Sequence, residues 1–140
     1  MRVYPDASVL VALFTYDRFT ARARAYLTTE IPTLVVSDFA AAEFASAVSR
    51  RVRTNDLTPD EGRIAFTSFD SWLARSTQHV DTTTQDIAAA AAALRRLDLN
   101  LRTPDAINIA VADRLGATLA TFDEKMATAA RALGVQVAPT

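Results

Sequence analysis

The sequence has no cysteine, one histidine, one tryptophan and three glycines in 140 residues. Without cysteine there is no disulfide framework, no thiolate metal site and no cysteine nucleophile. His79 alone cannot build a histidine acid–base pair or a zinc cluster within one chain, and beside a weak β-like run it reads as structural or exposed. The few glycines form no G-x-x-x-x-G-K loop, which disfavours a nucleotide cofactor, and no serine sits in a G-x-S-x-G setting. Long apolar runs are missing too. Val9 to Phe14 and Ile87 to Leu94 are the longest, far too short to cross a bilayer, so no membrane association is expected. Arg2 is the only cation before Pro5 and Asp6, unlike a signal peptide, and a cytoplasmic protein is expected. Neither sign of charge dominates: 15 basic and 16 acidic residues give a net charge of −1, which argues against a bulk basic surface. Two arginine clusters, Arg50, Arg51 and Arg53 and then Arg95, Arg96 and Arg102, read as solvated helix faces.

What is present is a chain that is half hydrophobic and of single-domain size, so residues 1–140 are expected to form one domain. Short β-like runs alternate with longer helical ones. Strands are predicted at Val3–Pro5, at the β-branched run Thr33–Ser37, weakly at Gln78–Asp81, at Ala117–Thr121 and at Val135–Ala138. Helices are predicted from Ala7 to Thr15, Thr20 to Leu27, Ser37 or Asp38 to about Arg53, and Thr58 to about Ala74. Three more follow: Thr84 to about Leu97, Thr103 to Gly116, and Asp123 to Leu133 before Gly134. Thr58-Pro59-Asp60-Glu61 and Thr103-Pro104-Asp105 both read as helix starts, with proline in the first turn and acids facing the dipole. Phe66, Phe69 and Trp72 at helical spacing read as core or dimer packing. This alternation implies an α/β domain with a mainly parallel sheet and helices on both faces.

In such sheets ligands bind beyond the carboxyl ends of the strands. Asp6 and Asp123 follow predicted strands, and Asp105 opens a helix whose start can point at the same edge. Each has a structural explanation. Asp6 can cap the next helix, Asp105 sits in a first turn, and Asp123 lies inside Thr121-Phe-Asp-Glu124, which matches a capping box. Glu43 fits such a reading least: Phe39, Ala40, Ser46 and Ala47, its neighbours three and four positions away, include no cation. A buried unpaired carboxylate is costly, and small neighbours leave room for a ligand. If the four acids converge they require a counter-charge, and oxygen-only ligation suits Mg²⁺ or Mn²⁺. Such a metal can polarise a phosphate and activate water.

These residues resemble a known family. The opening YPDAS, Glu43 after SDFAAAE, the stretch DAINIAVADRLGATLATFD from Asp105 to Asp123, and the closing ALGVQV match PIN domains, specifically the VapC-type toxin ribonucleases. The resemblance spans nearly the whole chain and is most specific from Asp105 to Asp123. It implies a three-layer α/β/α sandwich around a mainly parallel sheet, with Asp6, Glu43, Asp105 and Asp123 as an acidic quartet binding Mg²⁺ or Mn²⁺. Asp6 and Asp105 would be the firmest ligands. Glu43 and Asp123 would bind directly or through water and orient the nucleophile, and Ser8 and Thr121 would support the site. The implied reaction is hydrolysis of an RNA phosphodiester by metal-activated water with no covalent intermediate. The implied partners are a VapB-like antitoxin and a second copy in a homodimer. Ala7 departs from the family's usual polar residue, and Glu124 offers an alternative carboxylate beside Asp123. Arg50 and Arg51, two turns past Glu43, are candidates for the RNA path.

Rival readings fit less well. A haloacid-dehalogenase-like phosphatase requires an acid two residues after its first Asp, where this chain has Ser8. A phosphoacceptor receiver domain requires a late lysine where this chain has Thr121. A non-catalytic PIN-like RNA- or partner-binding protein is the alternative that stays open.

Overall fold

A computed structural model describes residues 1–139. Four strands, β1 (Arg2–Pro5), β2 (Thr33–Ser37), β3 (Gln78–Val80) and β4 (Thr118–Ala120), form one sheet in the order β3-β2-β1-β4. All three pairings are parallel, with Val3 beside Leu34 and Thr118, and Val36 beside His79. Seven helices connect and cover them: α1 (Ala7–Phe14), α2 (Thr20–Glu30), α3 (Asp38–Arg53), α4 (Pro59–Ser76), α5 (Thr84–Leu94), α6 (Thr103–Arg114) and α7 (Glu124–Ala132).

Alternation along the strands gives the sheet two packed faces. Tyr4 and Leu119 enter the larger core with Phe44 and Val48 of α3, Phe69 of α4, Ile109 of α6 and Met126 of α7. Val3, Leu34 and Ala120 enter a smaller core with Val9 of α1 and Ala23 and Tyr26 of α2. The expected sandwich around a parallel sheet is therefore present. Trp72 packs its ring on Phe14 and Phe69 at 5.1 and 6.0 Å, a core role.

Two expectations are corrected. Residues 135–138 do not form a full strand. Val137 makes a single bridge to Leu119, supported by Leu119 N–H to Gln136 O and Ala138 N–H to Leu119 O. Pro139 then has no N–H to continue the pairing. Helix α5 stops at Leu94 rather than about Leu97, where a left-handed Leu97 (φ 66°) and the Arg96–Asp98 ion pair turn the chain. Helix α6 is capped from Arg102, so Asp105 is its third residue. Gly116 and Gly134, at φ +60° and +83°, take the left-handed conformation that ends α6 and α7, where a side chain would be strained.

Helices α5 and α6 are clasped by an ion pair whose carboxylate is buried and whose guanidinium is partly exposed. Arg114 donates from Nε to Asp86 Oδ1 at 2.8 Å and from Nη2 to Asp86 Oδ2 at 3.0 Å, and its Nη2 also reaches Asp81 O. Asp86, 2% exposed, also accepts from Thr83 N–H. This clasp fixes the helix that carries Asp105.

Candidate active site

The parallel arrangement sends the carboxyl ends of β1, β2 and β4 to one edge, and the chain turns into α1, α3 and α7 there. Asp6 lies at the centre of that edge and is 6% exposed. It caps α1: Oδ1 accepts from Val9 N–H at 3.2 Å and from Ser8 Oγ at 2.6 Å, while Oδ2 accepts from Thr121 Oγ1 at 2.5 Å. Burial pushes its carboxyl above the ordinary range, and these donors only partly offset that. Ser8 and Thr121 tie the neighbouring turn to it, because Ser8 Oγ accepts from Phe122 N–H and Thr121 Oγ1 from Asp123 N–H, both at 3.0 Å. The expected Thr121–Glu124 capping box does not form. Thr121 turns to Asp6, and Asp123 caps α7 itself through Oδ1 and Met126 N–H at 3.1 Å.

Glu43 projects from α3, half-buried. Burial raises its proton affinity first, an Asn108 hydrogen bond opposes this, and the charges of Asp6 and Asp105 raise it further while Arg102 lowers it. Three of the four acids therefore share one electrostatic neighbourhood. Asp105, its side chain 16% exposed, accepts from Arg102 N–H at 3.2 Å and pairs loosely with Arg102 Nε at 3.8 Å.

Asn108 is a site residue that sequence reasoning missed. It lies one turn after Asp105, 3% exposed, in the otherwise apolar run of α6. Its Nδ2 donates to Glu43 Oε1 at 2.6 Å and to Pro104 O at 3.0 Å, and its Oδ1 accepts from Tyr4 OH at 2.6 Å. Since Tyr4 gives its proton to Asn108, Ser37 donates to the Tyr4 oxygen at 2.6 Å, and Ser37 Oγ also accepts from Ala40 N–H. The chain Ser37, Tyr4, Asn108, Glu43 thus points every donor toward the carboxylate. A lone amide among apolar residues at i+3 from Asp105 was the available signal. Asn108→Leu leaves the Tyr4 hydroxyl and a Glu43 oxygen without this partner and is expected to cost about 2 kcal/mol in urea unfolding. Adding Tyr4→Phe should recover part of that loss, whereas additive losses would mean the chain is not coupled.

Among the described residues, no three acids or histidines stand close enough together to hold a metal ion. The four acids are therefore not gathered as tightly as the expected quartet. Asp123 has turned to its helix and Asp105 to Arg102, each to a nearer donor. The donor chemistry still fits a hard divalent cation: the candidate ligands are all oxygens, Asp6 is raised by burial, and Glu43 is raised by burial and by the charges of Asp6 and Asp105. His79 is outside this set, half-exposed and 3.6 Å from Asp81. Arg51 is committed to Thr15 Oγ1 at 2.6 Å and Tyr16 O at 3.4 Å, so it braces the end of α1 rather than offering a free cation.

A family model described as PIN domain matches residues 3–132. The chain belongs to the PIN-domain family. PIN-domain ribonucleases generally depend on divalent metal ions. The chain is 34% identical over 138 residues to Ribonuclease VapC46 of Mycobacterium tuberculosis (strain ATCC 25618 / H37Rv), covering 96% of this chain and 95% of the relative. Among solved PIN-like structures, VapC20 of M. tuberculosis, described as a sarcin–ricin loop cleaving toxin, superposes with a TM-score of 0.74 at 20% identity, over 91% and 94% of the two chains. VapBC2 of Rickettsia felis, bound to a promoter DNA fragment, gives 0.70 at 15% identity over 99% and 98%. At those identities the likeness is one of fold.

Proposed function

We propose that this PIN domain is a toxin ribonuclease that hydrolyses RNA phosphodiesters with Mg²⁺ or Mn²⁺ and is held in check by an antitoxin. The observation that carries the reading is the buried, donor-fixed Asp6 sharing its field with Glu43 and Asp105 at the sheet's carboxyl edge. The relationship to a named VapC ribonuclease over nearly the whole chain supports the RNA substrate and the toxin role. Solved toxin–antitoxin complexes of this fold support the partner. A homodimer and a cytoplasmic setting belong to the same proposal. Among the described residues, no helix is long and apolar enough to cross a membrane.

Asp6 and Asp105 would hold the cation, with Glu43 and Asp123, or Glu124 beside it, completing the oxygen set. When bound, the cation supplies charge that polarises the phosphate and acidifies water. The protein's part is positional. Ser8 and Thr121 fix both Asp6 oxygens, Asn108 aims Glu43, and the Asp123 backbone is tied to Thr121. Glu43, its proton affinity raised by burial, would orient the attacking water and receive its proton.

The test is calorimetric titration of Mn²⁺ into the purified protein beside Asp105→Asn, followed by RNA cleavage with and without EDTA. We expect saturable binding that falls at least roughly tenfold in the variant, and cleavage that EDTA abolishes. Unchanged binding in a folded Asp105→Asn protein would return that carboxylate to its helix-capping role. Metal binding without metal-dependent cleavage would favour the non-catalytic alternative.

A further inference from the structure

Next to the acid site lies a cluster that none of the site's chemistry uses. Phe122 falls between Thr121 and Asp123, and its ring stacks on Phe19 with centroids 4.4 Å apart and planes 8° from parallel. Arg18 stands 4.6 Å from the Phe19 centroid, and Arg22 stands 5.6 and 5.2 Å from Phe19 and Phe122. The rings are half-buried against the smaller core, and both arginines are exposed. The turn is built to hold Phe19 in place: Asp17 Oδ1 accepts from Phe19 N–H at 2.8 Å, and Thr20 Oγ1 accepts from Asp17 N–H at 3.0 Å.

We propose that Phe19, Phe122, Arg18 and Arg22 form a landing platform for single-stranded RNA beside the acidic site. The platform rests on the ribonuclease reading above and names the residues that would hold the strand outside the acid cluster. The rings extend a stack to one base, and the guanidiniums take the flanking phosphates. Charge argues for a polyanion here. Two cations pack on a pair of rings of which one, Phe122, directly precedes Asp123 in the chain, and the acid site must admit a phosphate. A clip between α2 and the β4–α7 turn would require only the rings. The surface also continues away from the acids, because Arg18 shares with Tyr16 and Arg24 the lining of an open cavity of about 360 Å³. Tyr16 is 86% exposed and offers a second aromatic face for the next nucleotide.

The experiment compares the parent, Arg18→Ala/Arg22→Ala and Phe19→Leu in Mn²⁺. It measures cleavage of a mixed single-stranded RNA of about a dozen nucleotides. Anisotropy of the same RNA and Mn²⁺ calorimetry run alongside. Both variants are expected to raise KM and the RNA dissociation constant roughly tenfold, with kcat and Mn²⁺ affinity unchanged. The double variant should also flatten the dependence of log affinity on log salt by roughly 0.7 per arginine lost. Parental KM, RNA affinity and salt slope in the double variant would overturn the platform while leaving the nuclease reading intact. An unaffected Phe19→Leu would overturn the base-stacking assignment. If the arginine variant lost affinity for a poly-glutamate peptide but not for RNA, the surface would belong to an acidic protein partner and the proposal would fail. A parent that binds the RNA through these residues but never cuts it would count against the nuclease reading alone.

Discussion

Asp6→Asn is expected to reduce RNA hydrolysis by roughly 10³-fold in kcat, the rate equivalent of about 4 kcal/mol of lost charge stabilisation. Only the charge is removed. Asparagine keeps an oxygen for Val9 N–H and Ser8, and its amide can donate to Thr121 Oγ1, which meets the present carboxylate at 2.5 Å. The metal-free variant should melt no lower than the parent, because the native site is burdened by a buried carboxylate that its donors do not fully compensate. The diagnostic result is therefore a divergence: unchanged or higher Tm with loss of both Mn²⁺ binding and cleavage. A folded Asp6→Asn enzyme cutting at the parental rate would leave Asp6 as a helix cap and no more.

The same residue shows how far the sequence could be read. A β-branched or apolar run followed by an acid places Asp6 at a strand's end, because strand periodicity and helix capping are local properties. Thr33–Ser37 and both prolines in first helical turns, Pro59 and Pro104, were legible for the same reason. What was not legible depends on partners far along the chain. Asn108 reaches Glu43 across 65 positions and Tyr4 across 104, so its neighbours in sequence mark it only as a lone amide in an apolar run and not as the partner of Glu43. Phe122 resembles any core aromatic until Phe19 comes to lie against it. Asp123 shows the limit in the other direction. Its place in the motif suggested a ligand and its local setting a capping box at Thr121, but the structure gives the cap to Asp123 and the Thr121 hydroxyl to Asp6.

The second large effect concerns the support behind the site. Asp86→Ala is expected to destabilise the fold by about 3 kcal/mol at pH 7, combining an uncompensated Arg114 with the loss of a helix cap. That is the low end for a broken buried pair, because Arg114 is 35% exposed and can rehydrate while Asp86 is 2% exposed. For a chain of this size the change lowers Tm by about 10 °C. The pH dependence has a definite sign. Burial alone would raise the Asp86 carboxyl, but Arg114 and Thr83 outweigh it and hold the group below the ordinary range. A carboxyl depressed in the native state contributes its full stability above its unfolded pKa of about 3.9 and loses it as pH falls through the lower native value. Parent and Asp86→Ala should therefore differ most at neutral pH and draw together in acid, which urea titrations at pH 7 and near pH 3 would show. A gap that stays constant with pH would assign the loss to packing rather than to the ion pair. Because α6 carries both Asp105 and Asn108, the residual folded population of Asp86→Ala should also bind Mn²⁺ more weakly, although residue 86 belongs to the clasp and not to the acid cluster.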